Sequence, residues 1–149
     1  MGQQQLLLVI LVTIIVGIAT VVAINVFGTA ADEANRDAVR QDLMAAAAQA
    51  QGAYNRPTSM NGLGRDFSDT DALDNDELLR RLNIPGELTD AETVINENGT
   101  YSILVREDDL LELRGEPASG GQIDLEIEWN TSTNTWDFDW TEDFSGGGS

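Results

Sequence analysis

The residues best equipped for chemistry lie in one run, Ser68-Asp69-Thr70-Asp71-Ala72-Leu73-Asp74-Asn75-Asp76-Glu77, where hydroxyl, amide and carboxylate oxygens crowd into ten positions. Oxygen ligands at such density suit a hard cation such as calcium, with Asp69, Asp71, Asp74 and Asp76 as the candidate ligands. The run lacks the alternating ligand spacing and central glycine of an EF-hand loop, so the competing reading is a solvated acidic loop that caps a helix. Glu126 and Glu128 are also paired carboxylates, but they fall on one exposed strand face with nothing to bury them and shift a pKa. The chain contains neither histidine nor cysteine. The commonest general base, the commonest metal ligand, thiol chemistry and disulfides are therefore excluded, and we expect no enzyme and no cofactor. Asn98-Gly99-Thr100 and Asn130-Thr131-Ser132 satisfy the N-glycosylation pattern on predicted hairpin turns, which makes Asn98 and Asn130 candidate glycan acceptors. Trp129, Trp136 and Trp140 could offer an aromatic surface for sugar binding or adhesion; their alternation with acids favours core positions instead.

Charge narrows the partners. With 26 acidic and 8 basic residues the formal net charge is -18, and every basic residue is arginine. Such a surface repels nucleic acid and anionic lipid, so no direct nucleic acid binding is predicted. An acidic, lysine-free chain of this kind stays soluble in concentrated salt, where screening acts over a few ångströms, and we infer a halophilic source.

The elements that would position these groups divide the chain into a stalk and a head. Residues 1–27 form a membrane or filament-core helix: Leu6 to Phe27 is an almost unbroken apolar run, interrupted only by Thr13, Gly17, Thr20 and Asn25. Its twenty-two residues at about 1.5 Å each span roughly 33 Å, enough for a bilayer. The first charge is Asp32 and the first positive one Arg36. This excludes a cleaved secretory signal and leads us to expect a basic leader, removed before Met1. Residues 28–54 continue the helix amphipathically, with an apolar stripe of Ala38, Leu43, Ala46, Ala47, Ala50 and Tyr54; Gly28 is the expected place for a bend or a locally melted turn. Asp32–Arg36 and Asp37–Arg40 have ion-pair spacing.

Residues 55–90 read as a connecting loop containing a short helix, capped by Asp74, burying Leu78, Leu79 and Leu82, and stopped before Pro85. Residues 91–144 read as an antiparallel head. The Glu97-Asn98-Gly99 turn joins two strands, Leu110 to Arg114 forms another, and Ile123 to Trp129 pairs with Trp136 to Trp140. One face of that last hairpin is apolar and covered by the helix stripe; Asp124, Glu126, Glu128, Asp137 and Asp139 line the other, facing water. Residues 145–149 are a flexible tail by composition.

Met1-Gly2-Gln3-Gln4-Gln5, followed at once by the apolar run from Leu6 to Ala23 and the amphipathic half from Asp32 to Tyr54, resembles the type IV pilins. The resemblance implies an α+β, pilin-like fold: a long N-terminal helix, apolar then amphipathic, packed on a small antiparallel sheet. It implies a structural subunit of an extracellular filament serving attachment, motility or DNA uptake, processed by a dedicated peptidase, held in the inner membrane as a monomer and extracted by an ATPase-driven assembly machinery. In that family the fifth mature residue is usually glutamate; with Met1 as the mature start it is Gln5 here, whereas cleavage after Gly2 would leave Leu7 fifth. The family's helix-breaking proline and disulfide-bounded loop have no counterpart, Gly28 standing where the helix would yield. The implied partner is a homopolymer of identical subunits, with Met1, Gln3, Gln4, Gln5, Thr13, Gly17, Thr20 and Gly28 as the filament-core positions and amide contacts by the three glutamines between subunits. A pseudopilin of a secretion system and a single-pass anchored binding domain are the alternatives.

Overall fold

A computed structural model describes residues 2–145, so Met1 and residues 146–149 of the tail lie outside it. The chain divides into two compact units, Met1–Ala34 and Asn35–Ser149. A single helix, α1, runs Gly2–Asn55. No melted turn interrupts it at Gly17 or Gly28. Near-continuous leucine, isoleucine, valine and alanine carry the helix through both glycines, since each costs only about 1 kcal/mol relative to alanine.

In the second unit a short 3-10 turn, Thr58–Met60, follows Pro57, and then comes α2, Asn75–Leu82. The Asp74 carboxylate caps α2 by accepting the Glu77 N–H at 2.8 Å, as the sequence predicts, and Asn83 ends it in a left-handed turn. Leu78, Leu79 and Leu82 are buried. Six strands follow: β1 Glu87–Leu88, β2 Thr93–Ile95, β3 Gly99–Arg106, β4 Leu110–Pro117, β5 Gln122–Asn130 and β6 Thr135–Asp143. They form one open antiparallel sheet in sequence order, an α+β layout. The sheet thus begins at Glu87, within the segment read as connecting loop.

Each neighbouring strand pair is joined by a short connection, so every register is set locally. The Asn-Gly signal at the second hairpin marks the right place for another reason than the expected one. Gly99 is a strand residue pressed against β4, where an added Cβ would lie 2.1 Å from the Glu116 carbonyl oxygen. The turn itself is held by Asn96, whose Oδ1 accepts the N–H groups of Asn98 and Gly99.

The core lies between one face of this sheet and the second half of α1. Val39, Leu43, Ala46, Ala47, Ala50, Ala53 and Tyr54 are buried. The stripe therefore starts at Val39; Ala38 is only half-buried. Small side chains along it let the helix approach closely. At Gly115 of β4 an added Cβ would stand 2.5 Å from Val39 Cγ1 and 3.2 Å from Leu43 Cδ1, so no side chain fits there.

Gly115→Val should therefore force helix and sheet apart and destabilise the head by about 2 kcal/mol. Gly52, on the exposed side of α1 with open space around it, provides the contrast, because Gly52→Ala should stabilise by up to about 1 kcal/mol through helix propensity. Urea unfolding of the full chain in detergent micelles, followed by tryptophan fluorescence, measures both.

Candidate assembly segment and the polar seam of the head

Residues 6–27 contain sixteen large apolar side chains, from Leu6 to Phe27, and all are exposed, Ile10 least at 47% and Phe27 most at 73%. An eighteen-residue window of α1 reaches a mean hydropathy of 3.2 with none of it buried, so by length and composition the helix can cross a membrane. At about 1.5 kcal/mol for each side chain, keeping this surface in water would cost on the order of 25 kcal/mol, so lipid or protein must cover it.

Gln3, Gln4 and Gln5 are exposed helical residues one turn before that surface. Thr13, Gly17, Thr20 and Gly28 fall within an arc of about 80° at about 100° per residue, so they share one side of the helix. The Thr13 and Thr20 hydroxyls donate to the carbonyls of Val9 and Val16, at 2.7 and 2.8 Å. They consequently need no partner outside the helix. Gly17 and Gly28 have open space where a Cβ would stand. This side of the helix is a shallow notch that another backbone could approach. Met1 lies outside the described residues.

In the head, polar groups stitch α1 to the sheet. Asp42 accepts from Tyr101 Oη at 2.6 Å, Asn98 Nδ2 at 3.0 Å and Asn96 Nδ2 at 3.2 Å. Two turns nearer the N-terminus, Asn35 donates to the Asn98 carbonyl and accepts the Ser119 N–H. Arg40 pairs with Asp37, as the spacing predicts, and reaches across to Glu142 at 2.6 Å. Arg36 lies over the Phe144 ring, 4.0 Å from its centroid. At the far end of the helix Tyr54 donates to Asp109 and stacks with Phe67 and Trp136. In the sequence Asp42 and Asn35 are marked only as polar residues beside the apolar stripe at helical spacing.

This seam bears on the glycan acceptors. Asn98 is half-buried, and modification would take its amide from Asp42. Asn130 sits at the mouth of the exposed β5–β6 turn, donating to Asp137 and capping the N–H groups of Ser132 and Thr133.

The carboxylates of the acidic run are turned to separate tasks. Asp69 caps the N–H groups of Asp71 and Ala72, Asp74 caps α2, Asp71 is exposed and Asp76 half-buried; among the described residues no group of three acidic side chains converges for a metal. The loop's carbonyls converge on a cation supplied by the protein. The Arg106 guanidinium donates to the backbone oxygens of Phe67, Asp69 and Leu73 and to Asn75 Oδ1. Burial pushes this group below its usual pKa, against the attraction of Asp69, Asp74 and Asp66. Arg106 reaches the loop because a bulge at Leu104 shifts the β3 register between Ile103 and Val105, turning Arg106 onto the same face as Leu111.

The outer face of the sheet also departs from expectation. Asp124 is buried, held by Arg114 on the neighbouring strand through two bonds of 2.7 Å each. It leaves the water-facing ladder because its cross-strand partner is the one arginine on that face. Glu112, Glu126 and Asp139 are directly opposite one another on three successive strands. Partial burial, reinforced by the Glu112, Glu128 and Asp139 carboxylates, raises the pKa of Glu126. Trp129, Trp136 and Trp140 face the helix side but are only partly buried at its margin, and Phe138 between the last two is 39% exposed.

The chain is thus an α+β protein with one apolar helix of membrane-spanning length. No protein-family model matches it, and neither a curated protein nor a solved structure does.

Two measurements follow from these charges. Desolvation and the bond to Asp109 push the Tyr54 pKa from 10.0 to about 12, and Tyr101, bound to Asp42, shifts the same way. The fold prefers both phenols neutral. Their contribution is therefore intact below pH 10.0 and declines as the unfolded chain ionises, up to about pH 12 for Tyr54. Tyr54→Phe should flatten the alkaline fall in unfolding free energy. Glu126→Gln should stabilise the head by a few tenths of a kcal/mol at low salt and neutral pH, and molar salt should erase the difference in thermal unfolding.

Proposed function

We propose that this protein is a structural subunit of an extracellular helical filament of the type IV pilus kind, polymerising through residues 1–27 of its N-terminal helix. The observation that carries this reading is the contrast along α1. Its first half exposes apolar side chains on every side, whereas Val39 to Tyr54 buries one stripe under a sheet. A membrane anchor needs only the first property. A helix that continues without a break into a globular head is also suited to pass from lipid into a bundle of identical helices, exchanging one apolar surrounding for another. Gly17 and Gly28 allow close approach of neighbouring helices.

Before assembly the helix holds the monomer in the inner membrane with its head outside, and membrane machinery performs the transfer. Gln5 replaces charge neutralisation at the helix start by amide hydrogen bonding to the neighbouring subunit, with Gln3 and Gln4 beside it. No catalytic role belongs to this reading. The carboxylate face keeps filaments apart in dilute salt and fits a halophilic surface, where screening removes the repulsion.

Electron microscopy of material sheared from native cells, with mass spectrometry of the N-terminus, tests the proposal. We expect filaments built of this chain, beginning at Met1 after leader removal, and Leu11→Arg in the apolar run should abolish them. Recovery only as an unprocessed monomer in the membrane fraction would instead make the chain an anchored binding domain.

A further inference from the structure

The sheet ends in two unlike edges. β1 is two residues long, which protects that side. β6 is nine residues long and pairs with β5 through nine consecutive positions without a register shift, from Thr135 to Asp143. It contains no proline and no lysine. The direction of its backbone groups follows from the ladder. Trp129 N–H donates to Asp109, on the β4 side, so the odd-numbered residues of β5 bond away from β6 and the even-numbered ones toward it. Glu126 and Asp139 therefore exchange bonds, whereas the N–H and C=O groups of Trp136, Phe138, Trp140 and Glu142 point outward. A second observation agrees: the Trp140 N–H is held by the adjacent Asp139 carboxylate at 2.9 Å, not by β5.

This edge has a defined chemistry on each side. On one side Trp136 and Trp140 flank Phe138, which is 39% exposed; on the other stand Asp137 and Asp139. A strand added here would place alternate residues beside an aromatic row and beside a carboxylate row.

We propose that β6 is a strand-docking edge for another protein that supplies an extended segment alternating arginine or lysine with aliphatic or aromatic residues. Charge complementarity selects this occupant over a second copy. Two β6 strands pairing with each other would bring carboxylates face to face, and no two arginines of this chain lie two residues apart, so it carries no such segment itself. Asp139 acts as the guard of the edge. In the free protein its oxygen occupies the Trp140 N–H; an incoming cation draws the carboxylate away and frees the amide for the incoming carbonyl. The proposal does not depend on filament formation.

The test uses the full chain in detergent micelles and an acetylated, amidated nonapeptide of alternating arginine and valine. Controls are a peptide of the same composition with its arginines and valines in separate blocks, and the alternating peptide N-methylated at every second residue. The alternating peptide should bind, slow the exchange of the Trp136, Phe138 and Trp140 amides, and outcompete both controls by at least about tenfold. Phe138→Pro deletes one outward N–H while leaving the β5 ladder intact, and should lose binding to the same degree. Asp139→Asn keeps the strand and tests the guard independently of folding; it should weaken binding by several-fold. Equal binding of the block peptide, or binding without amide protection, would mean generic attraction to an acidic protein and overturn the proposal. Amide protection that appears on raising protein concentration without peptide would give the edge to a second copy and overturn it too.

Discussion

The closeness with which α1 lies on the sheet sets most of the head. At Gly115 no Cβ stands between β4 and the helix, and Val39 and Leu43 fill the space. Alanines at 46, 47, 50 and 53 extend the contact along the helix, each contributing little area but admitting a short separation. A core built this way gains from van der Waals packing density as much as from buried area, and it tolerates no added atom at Gly115. Of the aromatic side chains only Tyr101 stands beside this contact. Tyr54, Phe67, Trp129 and Trp136 gather at the far end of the helix, and Leu78, Leu79 and Leu82 come in from α2.

Close packing of a helix on a sheet also strands polar groups, and the chain answers with amides and carboxylates at the borders of the contact. Asp42 gathers three donors from the β2–β3 turn and Tyr101, Asn35 fixes that turn and the β4–β5 loop, and Arg40 ties the helix to β6 through Glu142. With no disulfide available, these bonds supply the orientation that a crosslink would otherwise give. They also explain how a chain so rich in carboxylates uses its few cations. Arg106 and Arg114 are spent inside the head, on a loop and on Asp124, and Arg40 spans two elements, so much of the outer surface is left to acid.

The two ends of the molecule's chemistry answer to different solvents. Residues 6–27 satisfy their backbone and threonine hydroxyls entirely within the helix, the condition for life in an apolar medium. The head presents carboxylates to water and leaves one sheet edge with unpaired backbone groups, guarded by charge. The proposed assembly through the helix and the proposed recognition through the β6 edge would thus operate by unrelated physical forces.

Local patterns in the chain were enough to determine the long helix, the cap of α2 at Asp74, the β2–β3 and β5–β6 hairpins, and the alternation of β5 and β6. Each depends on periodicity or on residues a few positions apart. Other features depended on which side chains arrive from distant segments, and only the tertiary structure decided them. Asp124 left the water-facing ladder because Arg114 stands opposite it. The oxygen-rich run gave its carbonyls to Arg106 because a single bulged residue, Leu104, reversed the facing of the end of β3. Gly99 proved to be a close-packing residue and not a turn residue, since the atom it makes room for belongs to Glu116, seventeen positions away. Periodicity reports which face a residue occupies along its own strand, but the partner that neutralises a charge or fills a gap is chosen by register and approach distance, and these exist only after the chain has folded.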